Sequence, residues 1–152
     1  MRIVAAAETT YADPSALLKL YIRQPQSAEM SAWRTRAKGP LAVTHHGRVE
    51  IINGICLAAF RRYITAEGMD DALASFEEDF EDGRYAQADL LWRAALKRAG
   101  ELSRKHTPAL GCRSLDVLHV ASALELELRN FVTFDRTQQR LAKAAGLKVI
   151  AL

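Results

Sequence analysis

The chain has 152 residues, 49% hydrophobic and 26% charged, and at about 150 residues per domain this length predicts a single domain over 1–152 rather than a multidomain assembly. Its 21 basic and 18 acidic residues leave a net charge of +3, which excludes the low-hydrophobicity, high-charge composition of a disordered chain. With 8 Gly and 4 Pro it is neither linker-like nor collagenous, and no stretch reaches the roughly 18 apolar residues that a membrane span requires.

The apolar run Ile3 to Ala7 follows a single basic residue, Arg2, and is shorter than the roughly 7 to 15 residues of a secretory signal core, so a cytoplasmic location is expected. In that reducing compartment Cys56 and Cys112 read as small buried apolar residues. The absence of a Cys-x-x-Cys pair excludes a thiolate zinc site. A pI near 9.0 permits a polyanionic partner without identifying one.

In chain order, Thr9–Ala12 reads as a strand ending at Asp13, and Pro14 suits the first turn of a helix running through Tyr21. A helix is expected over Ser27–Lys38, stopped by Gly39-Pro40 before the strand Leu41–Thr44. The next helix spans His46–Tyr63, with Val49, Ile52, Leu57 and Phe60 near helical spacing and Glu50 in its early turns. From Met69 to Asp82 and from Tyr85 to His106, long-chain helix formers predict an antiparallel helix pair around Gly83. Ser114 is the expected N-cap of a helix over Leu115–Leu128, with Asp116 in its first turn. Phe131–Phe134 forms a strand ending at Asp135, a helix covers Arg136–Ala145, Gly146 closes it, and Lys148–Ala151 is the last strand.

Strands alternating with helices of ten or more residues imply right-handed crossovers and an α/β fold whose parallel sheet is covered on both faces. Ligands bind such sheets outside the carboxyl ends of the strands. Asp13 and Asp135 each follow a strand directly, and Glu50 lies one or two helical turns beyond another, so three acids converge on one sheet edge.

Four segments carry a resemblance: Tyr11-Ala12-Asp13-Pro14-Ser15-Ala16-Leu17-Leu18-Lys19-Leu20-Tyr21, Val49-Glu50-Ile51-Ile52, Leu115-Asp116-Val117-Leu118-His119-Val120-Ala121-Ser122-Ala123-Leu124, and Val132-Thr133-Phe134-Asp135. Together they resemble the PIN-domain ribonucleases of the VapC toxin type, over essentially the whole chain. The resemblance implies a three-layer α/β/α fold with a mainly parallel central sheet. It also implies a metal-binding acidic cluster of Asp13, Glu50, Asp116 and Asp135, with Ser15 and Thr133 as polar neighbours. The implied function is that of a metal-dependent endoribonuclease, the toxin of a toxin-antitoxin pair. The partners it implies are an RNA substrate, a cognate antitoxin seated in the acidic groove and a second copy in a homodimer.

The physical chemistry of those residues agrees. Crowded carboxylates repel at low effective dielectric, and either raised pKa values or a bound multivalent cation relieves them. An all-oxygen donor set favours Mg²⁺ or Mn²⁺, which typically keeps waters beside one or two carboxylates and the substrate phosphate. Asp116 gains a further preference for ionisation from the exposed N–H groups of its helix, about 0.3 to 1 kcal/mol.

Two departures from the family pattern stand out. Pro14 occupies a position where a Ser or Thr usually follows the first acid, removing a hydroxyl and an N–H from the site. Met1 to Glu8 begins earlier than usual and is open between an added strand, a flexible tail and a start-site artefact. Arg113 and Arg136 flank Asp116 and Asp135 and suit either phosphate contact or rim ion pairs. His45-His46 reads as a helix-start pair rather than a metal site, and His119 as a hydrogen-bonded packing residue rather than a general base. Trp33 and Trp92 read as core or dimer contacts, and Glu77-Glu78-Asp79 and Glu81-Asp82 as solvated surface. A noncatalytic RNA- or peptide-binding module on the same fold is the alternative, and a DNA-directed nuclease is a third reading.

Overall fold

The computed structural model describes residues 6–152, and the part of Met1–Glu8 before Ala6 lies outside the described residues. Ala6–Thr9 is a 3-10 turn, not a strand. It leads into β1 (Thr10–Ala12) and the short helix α1 (Pro14–Leu18), followed by α2 (Ser27–Arg36), β2 (Leu41–Thr44), α3 (His45–Phe60) and α4 (Ala66–Glu81). Then come β3 (Tyr85–Ala88), α5 (Trp92–Leu110), α6 (Ser114–Glu125), β4 (Asn130–Val132), α7 (Arg136–Ala144) and β5 (Lys148–Val149).

Among the described residues every strand pairing is parallel. β4 lies between β1 and β5, with Tyr11 opposite Phe131 and Ala12 opposite Val132. β2 pairs with β3 in a second ladder that adjoins the first through contacts between β1 and β2. Because alternate strand residues point to opposite faces, the central strands feed two cores. Ala12 and Val132 join Leu17, Met30, Ile51, Ile55 and Phe76 on the face covered by α1–α4, while Tyr11 and Phe131 join Val117, Val120, Leu141 and Leu147 under α5–α7. The expected three-layer α/β/α arrangement is thereby observed.

Two expectations are corrected. Residues 85–106 do not continue as one helix: Tyr85–Ala88 is a strand, and α5 begins only at Trp92. Its sequence, Tyr-Ala-Gln-Ala, carries no β pattern, so the strand exists through tertiary pairing, against its local propensity. The Tyr85 ring packs edge-on to Phe76 and tilted against Phe80, its hydroxyl meets that of Tyr21 at 2.7 Å, and the Gln87 amide donates to the Val43 carbonyl at 2.9 Å. Likewise, Ser114 does not cap α6. Arg113 holds the cap position without a side-chain cap bond, and Ser114 is the first helical residue.

Smaller differences have local causes. The first helix stops at Leu18 instead of reaching Tyr21, and β4 ends at Val132. Asp79 is not simply solvated, since it accepts a hydrogen bond from the Tyr21 hydroxyl and pairs with Arg84. The cysteines are half-buried rather than buried, and both are free thiols. Trp33 is core and Trp92 is partly exposed. Gly54, which weakens the α3 pattern, is explained by close packing: a Cβ there would stand 2.8 Å from Leu18 Cδ2. Gly146 closes α7 with φ of 95°, the left-handed region that favours glycine. Among the described residues no helix is long and apolar enough to cross a membrane.

Candidate active site

Parallel strands deliver their carboxyl ends to one edge of the sheet, and the acids follow from that delivery. β1 ends at Ala12, and Asp13 becomes the N-cap of α1, its backbone N–H bonded to the Val132 carbonyl of the neighbouring strand at 2.9 Å. β4 ends at Val132, and Asp135 becomes the N-cap of α7, its carboxylate accepting from the Gln138 N–H at 2.7 Å. β2 ends at Thr44, whose hydroxyl caps α3 and sets Glu50 in the second turn. Asp116 lies in the first turn of α6.

Asp13, Glu50, Asp116 and Asp135 all line one cavity of about 700 Å³, together with Ser15, Arg113 and the apolar side chains Leu18, Leu115 and Phe134. Thr133 and Arg136 are not among its lining residues. Thr133 is buried and acts behind the site: its hydroxyl accepts the Asp135 N–H at 3.2 Å, and its carbonyl accepts the Gln139 amide at 2.8 Å. Arg136 is exposed at the start of α7.

Each carboxylate has a partner. Asp13 is buried, 4% exposed. Its Oδ2 accepts from the Ser15 N–H at 3.0 Å and from the Ser15 hydroxyl, and its Oδ1 accepts from Gln138 Nε2 at 2.9 Å. Pro14 therefore removes nothing the site lacks, because the first helical position needs no N–H and Ser15 supplies both donors one residue later. The exposed Arg113 spans two acids, with Nε 3.0 Å from Asp116 Oδ2 and Nη2 3.6 Å from Asp135 Oδ2. Burial pushes the Asp116 carboxyl above its ordinary value; the Asp13 and Asp135 charges add to that rise, and Arg113 opposes it.

Glu50 is held from behind. His119, 1% exposed, directs Nε2 to Glu50 Oε1 at 2.8 Å and Nδ1 to the Tyr11 hydroxyl at 2.6 Å. Burial lowers the His119 pKa, but the bond to Glu50 and the charges of Asp13, Glu50 and Asp116 outweigh it, and the net direction is upward. His46, stacked on His119 at 4.7 Å, is pushed down to about 4, chiefly by burial and then by the His119 charge. The His45-His46 pair does begin a helix, with His45 bonded to Asp89 at 3.0 Å.

Gln138 was not singled out by sequence. It is 1% exposed, and its amide joins Asp13 Oδ1 to the Asp116 carbonyl, the latter at 3.3 Å. The available signal was its spacing: an Asp N-cap followed three residues later by Gln has the capping-box form. Here the Gln side chain turns inward to Asp13, while Thr133 satisfies the Asp135 N–H that a capping box would cover.

Among the described residues no three His, Cys, Asp or Glu side chains stand close enough to ligate one ion as they are. Ser15, Gln138, Arg113 and His119 hold the four acids around the cavity as separate, partnered groups.

A model of the PIN domain matches residues 10–144. The chain belongs to the PIN-domain family. All four cavity acids fall inside the matched span. The chain is also 33% identical over 144 residues to Ribonuclease VapC46 of Mycobacterium tuberculosis (strain ATCC 25618 / H37Rv), covering 93% of this chain and 95% of that protein. With that relative aligned along almost its entire length, this is a PIN domain of the VapC type, and the expected family and fold are those found.

Proposed function

We propose that this PIN domain is a metal-dependent endoribonuclease, the toxin of a toxin-antitoxin pair, that hydrolyses RNA phosphodiester bonds in the cavity lined by Asp13, Glu50, Asp116 and Asp135. The observation that carries this reading is the meeting of four carboxylates from four separate segments in one cavity. The similarity to a protein named a ribonuclease supports the substrate class.

The donor set fits a hard divalent cation. Mg²⁺ or Mn²⁺ needs only one or two carboxylates beside its waters, so the absence of a ready three-residue cluster does not conflict with such an ion, and Asp13, Glu50, Asp116 and Asp135 are the residues that would hold it. Bound there, the cation supplies an acidified water and charge stabilisation for the phosphate. The protein's own groups do the rest. Ser15 and Gln138 fix the Asp13 carboxylate in place, Arg113 offers a cationic rim to a phosphate that replaces one of its acid partners, and Leu18, Leu115 and Phe134 give the cavity an apolar wall for a nucleotide. Arg136, exposed one residue after Asp135, suits a flanking phosphate. An antitoxin segment covering the cavity, a homodimer and a cytoplasmic location complete the reading.

Incubation of the purified protein with RNA in Mg²⁺ or Mn²⁺ tests it. Cleavage that EDTA abolishes, and that Asp13→Asn and Asp116→Asn eliminate while remaining folded, is the expected result. RNA binding with neither divalent-ion binding nor cleavage would instead establish a noncatalytic binding module, and cleavage of DNA but not RNA a DNA-directed nuclease.

A further inference from the structure

We infer that His119, oriented by Tyr11, is a positioning residue that fixes the Glu50 carboxylate at the rim of the acidic cavity. The inference rests on the reading of Glu50 as a metal-holding group and adds a role for two residues that do not line the cavity.

Glu50 projects from the second turn of α3 with its side chain 31% exposed. Left alone, a glutamate at such a site samples several rotamers, and a flexible carboxylate is a poor ligand or base. Here one oxygen is taken by His119 Nε2 at 2.8 Å. Because an ionised carboxylate only accepts, Nε2 must carry the proton. In the neutral ring Nδ1 accepts from the Tyr11 hydroxyl, 2.6 Å away, and in the imidazolium Nδ1 donates to that hydroxyl instead, so the bond to Tyr11 stands in both forms while Nε2 keeps its proton toward Glu50. The result is a chain from the Tyr11 hydroxyl through His119 Nδ1 and Nε2–H to Glu50 Oε1, which fixes one ring orientation.

Four elements of the fold, β1, β4, α6 and α3, hold that chain rigid. Tyr11 is 2% exposed on the central strand β1, and its ring stacks on Phe131 of β4 at 5.5 Å with planes 5° apart. His119 is buried on α6, in the turn after Asp116, and is covered on its other side by His46 at the start of α3. A carboxylate supported by an oriented imidazole has its position set before any ligand arrives, which is the usual contribution of groups standing behind a metal ligand. A ring needed only to fill space would not have both nitrogens bonded, one of them to an acid that lines the cavity.

The test compares His119→Leu, which removes both bonds at similar volume, His119→Gln, which keeps a donor toward Glu50, and Tyr11→Phe, which deletes only the hydroxyl and retains the ring stack. Titration of Mn²⁺ alone into each protein is expected to show about 10- to 100-fold weaker binding for His119→Leu, most of it recovered in His119→Gln, and a smaller loss for Tyr11→Phe. In a Glu50→Gln background the His119→Leu substitution is expected to add no further loss, because the group it positions is already gone. A metal-free readout stands beside it: ¹⁵N spectra of the wild type should show the His119 proton on Nε2, with its resonance shifted by Glu50→Gln. Unchanged Mn²⁺ affinity in folded His119→Leu, an equal loss with and without the Glu50 carboxylate, or an Nε2–H resonance indifferent to Glu50→Gln would overturn the inference. Wild-type protein that binds no Mn²⁺ would remove the metal reading instead, and the ¹⁵N measurement then decides the positioning role by itself.

Discussion

Gln138 donates its side-chain amide to Asp13 Oδ1 at 2.9 Å, although the two residues lie 125 positions apart in sequence. The bond ties the first turn of α7 to the end of β1 and gives the buried Asp13 carboxylate a third donor beside the two from Ser15. It converts a strand-end acid into a fixed part of the cavity wall.

Gln138→Leu should therefore be costly. The substitution leaves a buried charged acceptor short of one donor, a loss of about 1 to 3 kcal/mol, which in a chain of this size lowers Tm by roughly 2 to 4 °C per kcal/mol. Thermal unfolding checks it. A variant melting with the wild type would mean that the Asp13 carboxylate does not depend on this amide.

Asp116 makes a prediction of opposite sign. Its folded pKa is raised, first by burial, so in the absence of metal its ionised form is disfavoured in the folded state, and stability is lost as pH rises above the unfolded value of about 3.9. Asp116→Asn should melt at the same or a higher temperature at pH 7 without divalent ions, with the advantage fading toward pH 4. Mn²⁺ at 100 times its Kd should stabilise the wild type by about 2.7 kcal/mol, roughly 5 to 10 °C, and the variant much less. An Asn variant that melts well below the wild type at pH 7 would refute the crowded-carboxylate picture.

The depressed His46 predicts a contribution to the acid limb of stability. Its folded pKa of about 4 lies below the ordinary 6.5, so between those values the unfolded chain binds a proton that the folded chain does not, and stability rises with pH across that window. His119 has the opposite sign: its pKa is raised, and its contribution is complete below about 6.5 and lost as pH climbs through the folded value. His46→Phe should flatten the dependence between pH 4 and 6.5, as read by chemical denaturation at several pH values. An unaltered acid limb would assign it to other groups.

Arg113 and Arg136 differ in a measurable way. Arg113 bridges Asp116 and Asp135 at the cavity, whereas Arg136 is exposed outside it. Since the Arg113 pairs are solvent-accessible, Arg113→Ala should change stability by no more than about 1 kcal/mol. If it contacts a phosphate, the slope of log RNA affinity against log salt should fall in magnitude by about 1. Arg136→Ala should produce a smaller change in the same titration, and an unaltered slope for Arg113→Ala would leave it as a rim ion pair.

Most of this site is legible in the sequence because three of its acids lie where strands hand over to helices. A strand of alternating faces followed by an N-capping Asp, as at Ala12-Asp13 and shortly before Asp135, identifies a sheet edge from local pattern alone. Asp116 joins them only through the family resemblance, since a first-turn acid by itself is ordinary helix chemistry. What remained hidden depends on distant partners. Gln138 reads as a polar residue on an amphipathic helix until Asp13 is beside it. His119 reads as packing until Glu50 and Tyr11 occupy its two nitrogens. β3 is concealed for the same reason, because Tyr85–Ala88 becomes a strand only against β2 and the rings of Phe76 and Phe80. Arg113 displaces Ser114 from the cap position, and its guanidinium pairs instead with Asp116 three residues on.

The most direct measurement is anomalous scattering from crystals grown in Mn²⁺. A manganese peak inside the cavity, within about 2.5 Å of carboxylate oxygens from at least one of Asp13, Glu50, Asp116 and Asp135, is the expected result. Crystals saturated with Mn²⁺ that show no peak among these four side chains would contradict the proposal that they exist to hold a divalent ion.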